Sequence, residues 1–81
     1  MRGSMWIRMS NGDLTNTSFI RRIYAEEEDG IFTVTAAMND GDYEALRECS
    51  SMESARANVD YIHKCLSEGV SVCNLYSTSF E

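Results

Sequence analysis

The stretch from Ser50 to Gly69 constrains this chain most. It reads SSMESARANVDYIHKCLSEG. Met52, Ala55, Val59, Ile62 and Leu66 recur at alternating steps of three and four, a spacing that predicts one apolar helical stripe. Ser50 with Glu53 three residues on has the capping-box pattern, in which two side chains satisfy orphan backbone donors at a helix start. Gly69 suits the left-handed conformation that closes a helix. Arg56, Asp60 and Lys64 alternate in sign at four-residue steps, which suits a water-facing side. A chain of 81 residues makes one domain with a small core, and a single amphipathic helix must lay its stripe on a sheet or a partner.

The residues before the helix supply the sheet. Met5 to Ser10 alternates, with Met5, Ile7 and Met9 on one face and Trp6, Arg8 and Ser10 on the other. Asn11-Gly12 then favours a tight hairpin turn, because both dipeptide positions tolerate positive φ. A second strand starts near Leu14 or Thr15, and Thr15–Ser18 reads as an irregular crossing. Phe19–Glu28 is a further strand whose apolar residues do not alternate cleanly, which suggests a bulge. Asp29-Gly30 is the next turn. Ile31–Met38 is rich in β-branched and apolar residues and reads as the central strand. After a turn at residues 39–42, Tyr43–Cys49 leads into the helix. Hairpin signals in succession imply antiparallel pairing. The expected fold class is α+β: an antiparallel meander of four to five strands with one amphipathic helix on one face. The expected organisation is a single domain over residues 5–69, preceded by vector-derived residues 1–4. Residues 70–81 are expected to be a C-terminal edge strand or a tail that pairs with a second chain.

Composition sets the class of partner. At 43% hydrophobic and 25% charged, the chain is ordinary for a globular domain. Its net charge of −6 disfavours nucleic acid and anionic membrane, whose phosphates repel such a field. No apolar run has the length of a membrane helix, and no secretory signal is visible. The three cysteines, Cys49, Cys65 and Cys73, show no metal spacing and read as reduced thiols in a cytoplasmic setting.

With these elements placed, the chain resembles a loose group of short bacterial and phage-type proteins with no established activity. They open Met-Trp-Ile-Arg, run through a β-meander and end in a helix introduced by Ser-x-x-Glu-x-Ala. The matching residues are Met5-Trp6-Ile7-Arg8, the Asn11-Gly12 turn, and Ser50, Glu53 and Ala55 with the Val59, Ile62 and Leu66 stripe. The resemblance implies this fold and an accessory, mobile-element origin. It implies no site.

Chemistry-bearing groups are sparse. His63 is the single histidine and lies one position off the stripe. Cys65, two residues on, points to another side of a helix, and Asp60 alone does not complete a zinc site. Asp40-Gly41-Asp42-Tyr43-Glu44 starts like a calcium loop, but Ala45 stands where the loop needs glycine and Ser51 where it needs glutamate. No catalytic, cofactor or metal site is therefore assigned. Two surface features stand out instead. Trp6, Arg8, Arg22 and Tyr24 interleave arginine with aromatic residues, a composition typical of interface hot spots. Glu26, Glu27, Glu28, Asp29, Asp40 and Asp42 cluster near two hairpin tips and would form one negative patch if those tips share an end of the sheet.

The expected function is a non-enzymatic protein–protein interaction or regulatory module. It would use the aromatic–arginine surface or the C-terminal strand to bind a protein partner or build a homodimer. The alternative is a phage-type inhibitor whose acidic face blocks a nucleic-acid-binding host enzyme.

Overall fold

In the computed structural model, which describes residues 5–9 and 11–75, Asp29 and Gly30 form a two-residue hairpin turn with φ of 53° and 81°. That turn joins β3 (Ile20–Glu28) to β4 (Ile31–Met38), which pair antiparallel from Glu28↔Ile31 outward. Positive φ at both turn residues matches the twist of the flanking strands, which is why an Asp-Gly pair sits there. Gly30 is further held by its amide donating to Glu27 Oε2 at 2.9 Å. A longer turn, in which the Gly41 amide donates to the Met38 carbonyl at 3.1 Å, leads to β5 (Tyr43–Cys49). The order β3-β4-β5 is the antiparallel meander.

The expected single sheet is two sheets. β1 (Trp6–Arg8) and β2 (Leu14–Asn16) form a hairpin that does not continue into the meander. Asn16 explains the break. Its Oδ1 accepts from the Ser18 amide at 2.9 Å and caps a 3-10 turn over Thr17–Phe19, which redirects the chain before β3. β6 (Val72–Asn74) pairs with β1 in parallel, giving the order β2-β1-β6. Parallel pairing suits strands separated by a long connection, here almost the whole chain. Residues 70–75 thus join the fold of their own chain and carry Cys73 and Leu75 into the core. Among the described residues, the fold is α+β with six strands in two three-stranded sheets and one helix. The expectations for residues 1–4, Ser10 and residues 76–81 lie outside the described residues.

The helix α1 (Met52–Glu68) differs from its sequence pattern in two details. Its N-cap is Ser51, whose hydroxyl accepts from the Ser54 amide at 3.0 Å, so the Ser50–Glu53 box is one residue out of register. The buried positions are Ser54, Ala55, Asn58, Ile62 and Cys65, a stripe rotated from the expected one, while Leu66 is 47% exposed. The rotation follows from the two layers that the helix must meet. Gly69 ends it in the left-handed conformation at φ 74°, as the sequence pattern indicates.

One core joins the layers. Val34, Ala36, Leu46 and Cys49 from the meander meet Ala55, Ile62 and Cys65 from α1 and Ile7, Cys73 and Leu75 from the terminal sheet. A bulge at Leu46 makes this possible. The register passes from Thr35↔Ala45 to Val34↔Arg47, so Leu46 and Arg47 both serve the core side of β5. Each large apolar side chain buried here contributes about 1.5–3 kcal/mol.

Candidate interaction surfaces

β1 alternates cleanly. Ile7 is fully buried, as is its parallel neighbour Cys73, and Thr15 lies opposite Ile7 on the same inner face. The outer face of this sheet therefore collects the residues between. Trp6 is 43% exposed and lies directly across from Val72, which is 45% exposed. Arg8 lies across from Leu14, 50% exposed, and from Asn74. A tryptophan, a leucine and a valine thus share one surface with an arginine. Large apolar groups gathered on one face mark contact surfaces more often than scattered ones do.

Arg22 and Tyr24 occupy the other sheet. They sit two residues apart on β3, and the Arg22 guanidinium lies over the Tyr24 ring at 4.6 Å from its centroid, a cation–π contact. Across the ladder they face Ala37 and Thr35, on the side of the meander opposite Val34 and Ala36. The four aromatic and arginine candidates are thus divided into two pairs on two sheets.

The acidic candidates divide as well. Glu26, Glu27, Glu28 and Asp29 lie at the end of β3 and in the turn before β4, and Asp40 and Asp42 lie past the far end of β4. Successive hairpins of a meander turn at opposite ends of the shared strand, and eight residues of β4 hold the groups roughly 23 Å apart. The two tips do not merge into one patch. Glu48 joins the first group instead, since Glu26, Thr33 and Glu48 stand in one row across the sheet. Glu26 accepts from the Thr35 hydroxyl at 3.1 Å. Asp40 Oδ1 accepts from the Asp42 amide at 3.0 Å, so this carboxylate shapes its own turn.

His63 is exposed on α1 beside a groove of about 390 Å3 that runs along β3. All three cysteines are free and buried. Burial, and then a hydrogen bond with Cys65, push the Cys73 thiol from its ordinary 9.0 up to about 12. Tyr61 is raised as well, first by burial and then by its hydrogen bond with Cys65. A thiol raised this far, as Cys73 is, makes a poor nucleophile near neutrality. Among the described residues, no group of three or more His, Cys, Asp and Glu side chains is placed to hold a metal ion. No helix among them is long and apolar enough to cross a membrane.

One polar group escapes sequence reasoning. Arg47 points to the core side, donating to Asn58 Oδ1 at 3.3 Å and to the Leu75 carbonyl. Asn58 is fully buried and donates in turn to the Ser54 carbonyl at 2.9 Å. A polar residue three positions after Ala55 and four before Ile62 was the available signal for Asn58. Nothing in the alternation of β5 marks Arg47, because the bulge changes its face.

A scan against protein-family models, a search of curated proteins and a search of solved structures each return no match to this chain.

Proposed function

We propose that this protein is a small interaction module that binds a protein partner through the outer face of the β2-β1-β6 sheet. The observation that carries the reading is the exposure of Trp6 beside Leu14 and Val72 on that one face. Tryptophan and arginine are the residue types most enriched among interface hot spots, and Arg8 lies within the same patch. The module acts by binding rather than by catalysis, since its distinctive surface is apolar and aromatic. The expected partner offers an apolar pocket for the Trp6 ring and an acidic rim toward Arg8. The net charge of −6 favours a partner that is basic elsewhere.

The test is quantitative affinity capture from the source cells, with wild-type protein and with Trp6→Ser as baits. The reading predicts a saturable partner that Trp6→Ser loses and that an Arg56→Ala control on the exposed helix face retains. A partner retained equally by all three baits would place binding elsewhere.

A further inference from the structure

We propose that β3 is a self-association edge through which two copies of this chain pair antiparallel about a two-fold axis at Tyr24. The proposal concerns a strand edge on the meander and does not depend on the Trp6 face.

Among the described residues, four strand edges are candidates. β2 and β6 are three residues each. β5 carries the bulge at Leu46, and Met9 and Asn11 lie in a groove beside it. β3 is nine residues long and, among the described residues, pairs on one side only, with β4. An unprotected edge of that length presents a row of donors and acceptors that templates another strand.

The hairpin geometry says which groups face outward. Glu28 and Ile31 flank a two-residue turn, and such a flanking pair exchanges both backbone hydrogen bonds. Counting back by twos, Glu26 and Tyr24 also bond toward β4. Ile23, Ala25 and Glu27 therefore turn their N–H and C=O groups outward. A second β3 centred on Tyr24 sets Ile23 against Ala25 of the copy as a hydrogen-bonded pair, so outward groups meet outward groups.

The side chains match in the same register. β3 reads Ile-Arg-Arg-Ile-Tyr-Ala-Glu-Glu-Glu, basic at one end and acidic at the other. Reversing one copy about Tyr24 places Arg22 opposite Glu26 and Arg21 opposite Glu27. By symmetry each pair occurs twice. Tyr24 meets Tyr24 of the second copy, an aromatic cross-strand pair, and Ile23 meets Ala25. Moving the axis to Ala25 sets Ile23 against Glu27 and Tyr24 against Glu26, which loses both apolar pairs. Opposite charges and aromatic pairs directly across a ladder stabilise it. Arg21 lies at the bulge between Ile20 and Arg22, outside the β3–β4 ladder.

A second observation lies along the same edge. The groove of about 390 Å3 beside β3 is lined by Ile20, Ile23, Val59 and Leu66, and Leu66 is the stripe residue left exposed. A second β3 would wall this groove. The product is a continuous six-stranded sheet, two meanders joined edge to edge.

The experiment is size-exclusion chromatography with light scattering on the full chain over a concentration series. Circular dichroism confirms that each variant is folded. Wild type is expected to dimerise. Arg22→Glu and Glu26→Arg are each expected to weaken the dimer about tenfold or more, because each reversal acts at two symmetric contacts. The double variant Arg22→Glu/Glu26→Arg is expected to restore it. Tyr24→Cys is expected to crosslink between copies under oxidised glutathione, since a non-hydrogen-bonded pair on the axis brings two Cα atoms to about 4.5 Å. Arg22→Cys, off the axis, is expected not to. A monomer up to about 1 mM, a dimer indifferent to Arg22→Glu, or a folded double variant that stays monomeric would each overturn the proposal.

Discussion

Arg47 donates to Asn58 Oδ1 at 3.3 Å, across the interface between β5 and α1. The same guanidinium bonds the Leu75 carbonyl just past β6. One side chain therefore ties the meander, the helix and the terminal sheet at the centre of a small core. Asn58 also donates toward Cys49 Sγ at 3.6 Å, so the amide is used on both sides.

We predict that Asn58→Ala lowers stability by about 1–3 kcal/mol, because it leaves Arg47 and its neighbours short of a buried partner. The Arg47→Met/Asn58→Leu double variant should recover part of that loss by removing both polar groups. Urea unfolding of the three proteins checks this. A loss below about 0.5 kcal/mol for Asn58→Ala would mean that the contact is not a structural tie.

The helix start offers a sharper local test. Ser51 accepts the Ser54 amide and Ser50 does not cap. Ser51→Ala is predicted to cost about 1 kcal/mol, and Ser50→Ala only a few tenths. Thermal unfolding of the two single variants separates them, and the reverse order would put the cap back at Ser50.

Alkaline pH should destabilise the fold. The Cys73 thiol lies at about 12 in the folded chain against an ordinary 9.0, and Tyr61 is raised too. Between those values the folded state holds a proton that the unfolded state has released. The contribution is thus complete below 9.0 and is lost as pH rises toward 12. Unfolding free energies from about pH 8 to about pH 10.5 should fall more steeply for wild type than for Cys73→Ala. Parallel slopes would show that Cys73 does not drive the effect.

Binding and folding should separate at Trp6. Its ring is partly exposed and its neighbours Leu14 and Val72 are exposed too. Trp6→Ser is predicted to weaken partner binding by roughly 30-fold, in the range of a hot-spot truncation. Calorimetric titration of the captured partner measures this directly, and an unchanged affinity would remove Trp6 from the contact.

Much of this architecture is legible in the residues, and the parts that are not have identifiable physical causes. Gly69 and the three-four spacing announce the helix, and Asp29-Gly30 announces the hairpin that seats β3 on β4. Local patterns of this kind act within a few residues. The pairing of β6 with β1 is decided by contacts across the whole chain, which no local pattern carries. The bulge at Leu46 interrupts the alternation of β5, so the strand pattern does not single out Arg47 as a core tie. Capping at Ser51 instead of Ser50 is a one-residue shift between two adjacent serines that either position accommodates. The separation of the Glu26–Asp29 group from Asp40 and Asp42 was available from topology alone, since consecutive hairpins must turn at opposite ends. Trp6 and Arg8 stand out by residue type. Their company, Leu14 and Val72, emerges only once β2 and β6 flank β1.

The most direct test of the interaction surface is site-specific photocrosslinking in the source cells. A benzophenone side chain is placed at Trp6 and, separately, at Arg56 on the exposed face of α1. The account predicts one adduct of fixed mass from position 6 that competes away with excess wild-type protein, and none from position 56. No adduct at position 6, or the same adducts from both positions, would contradict it.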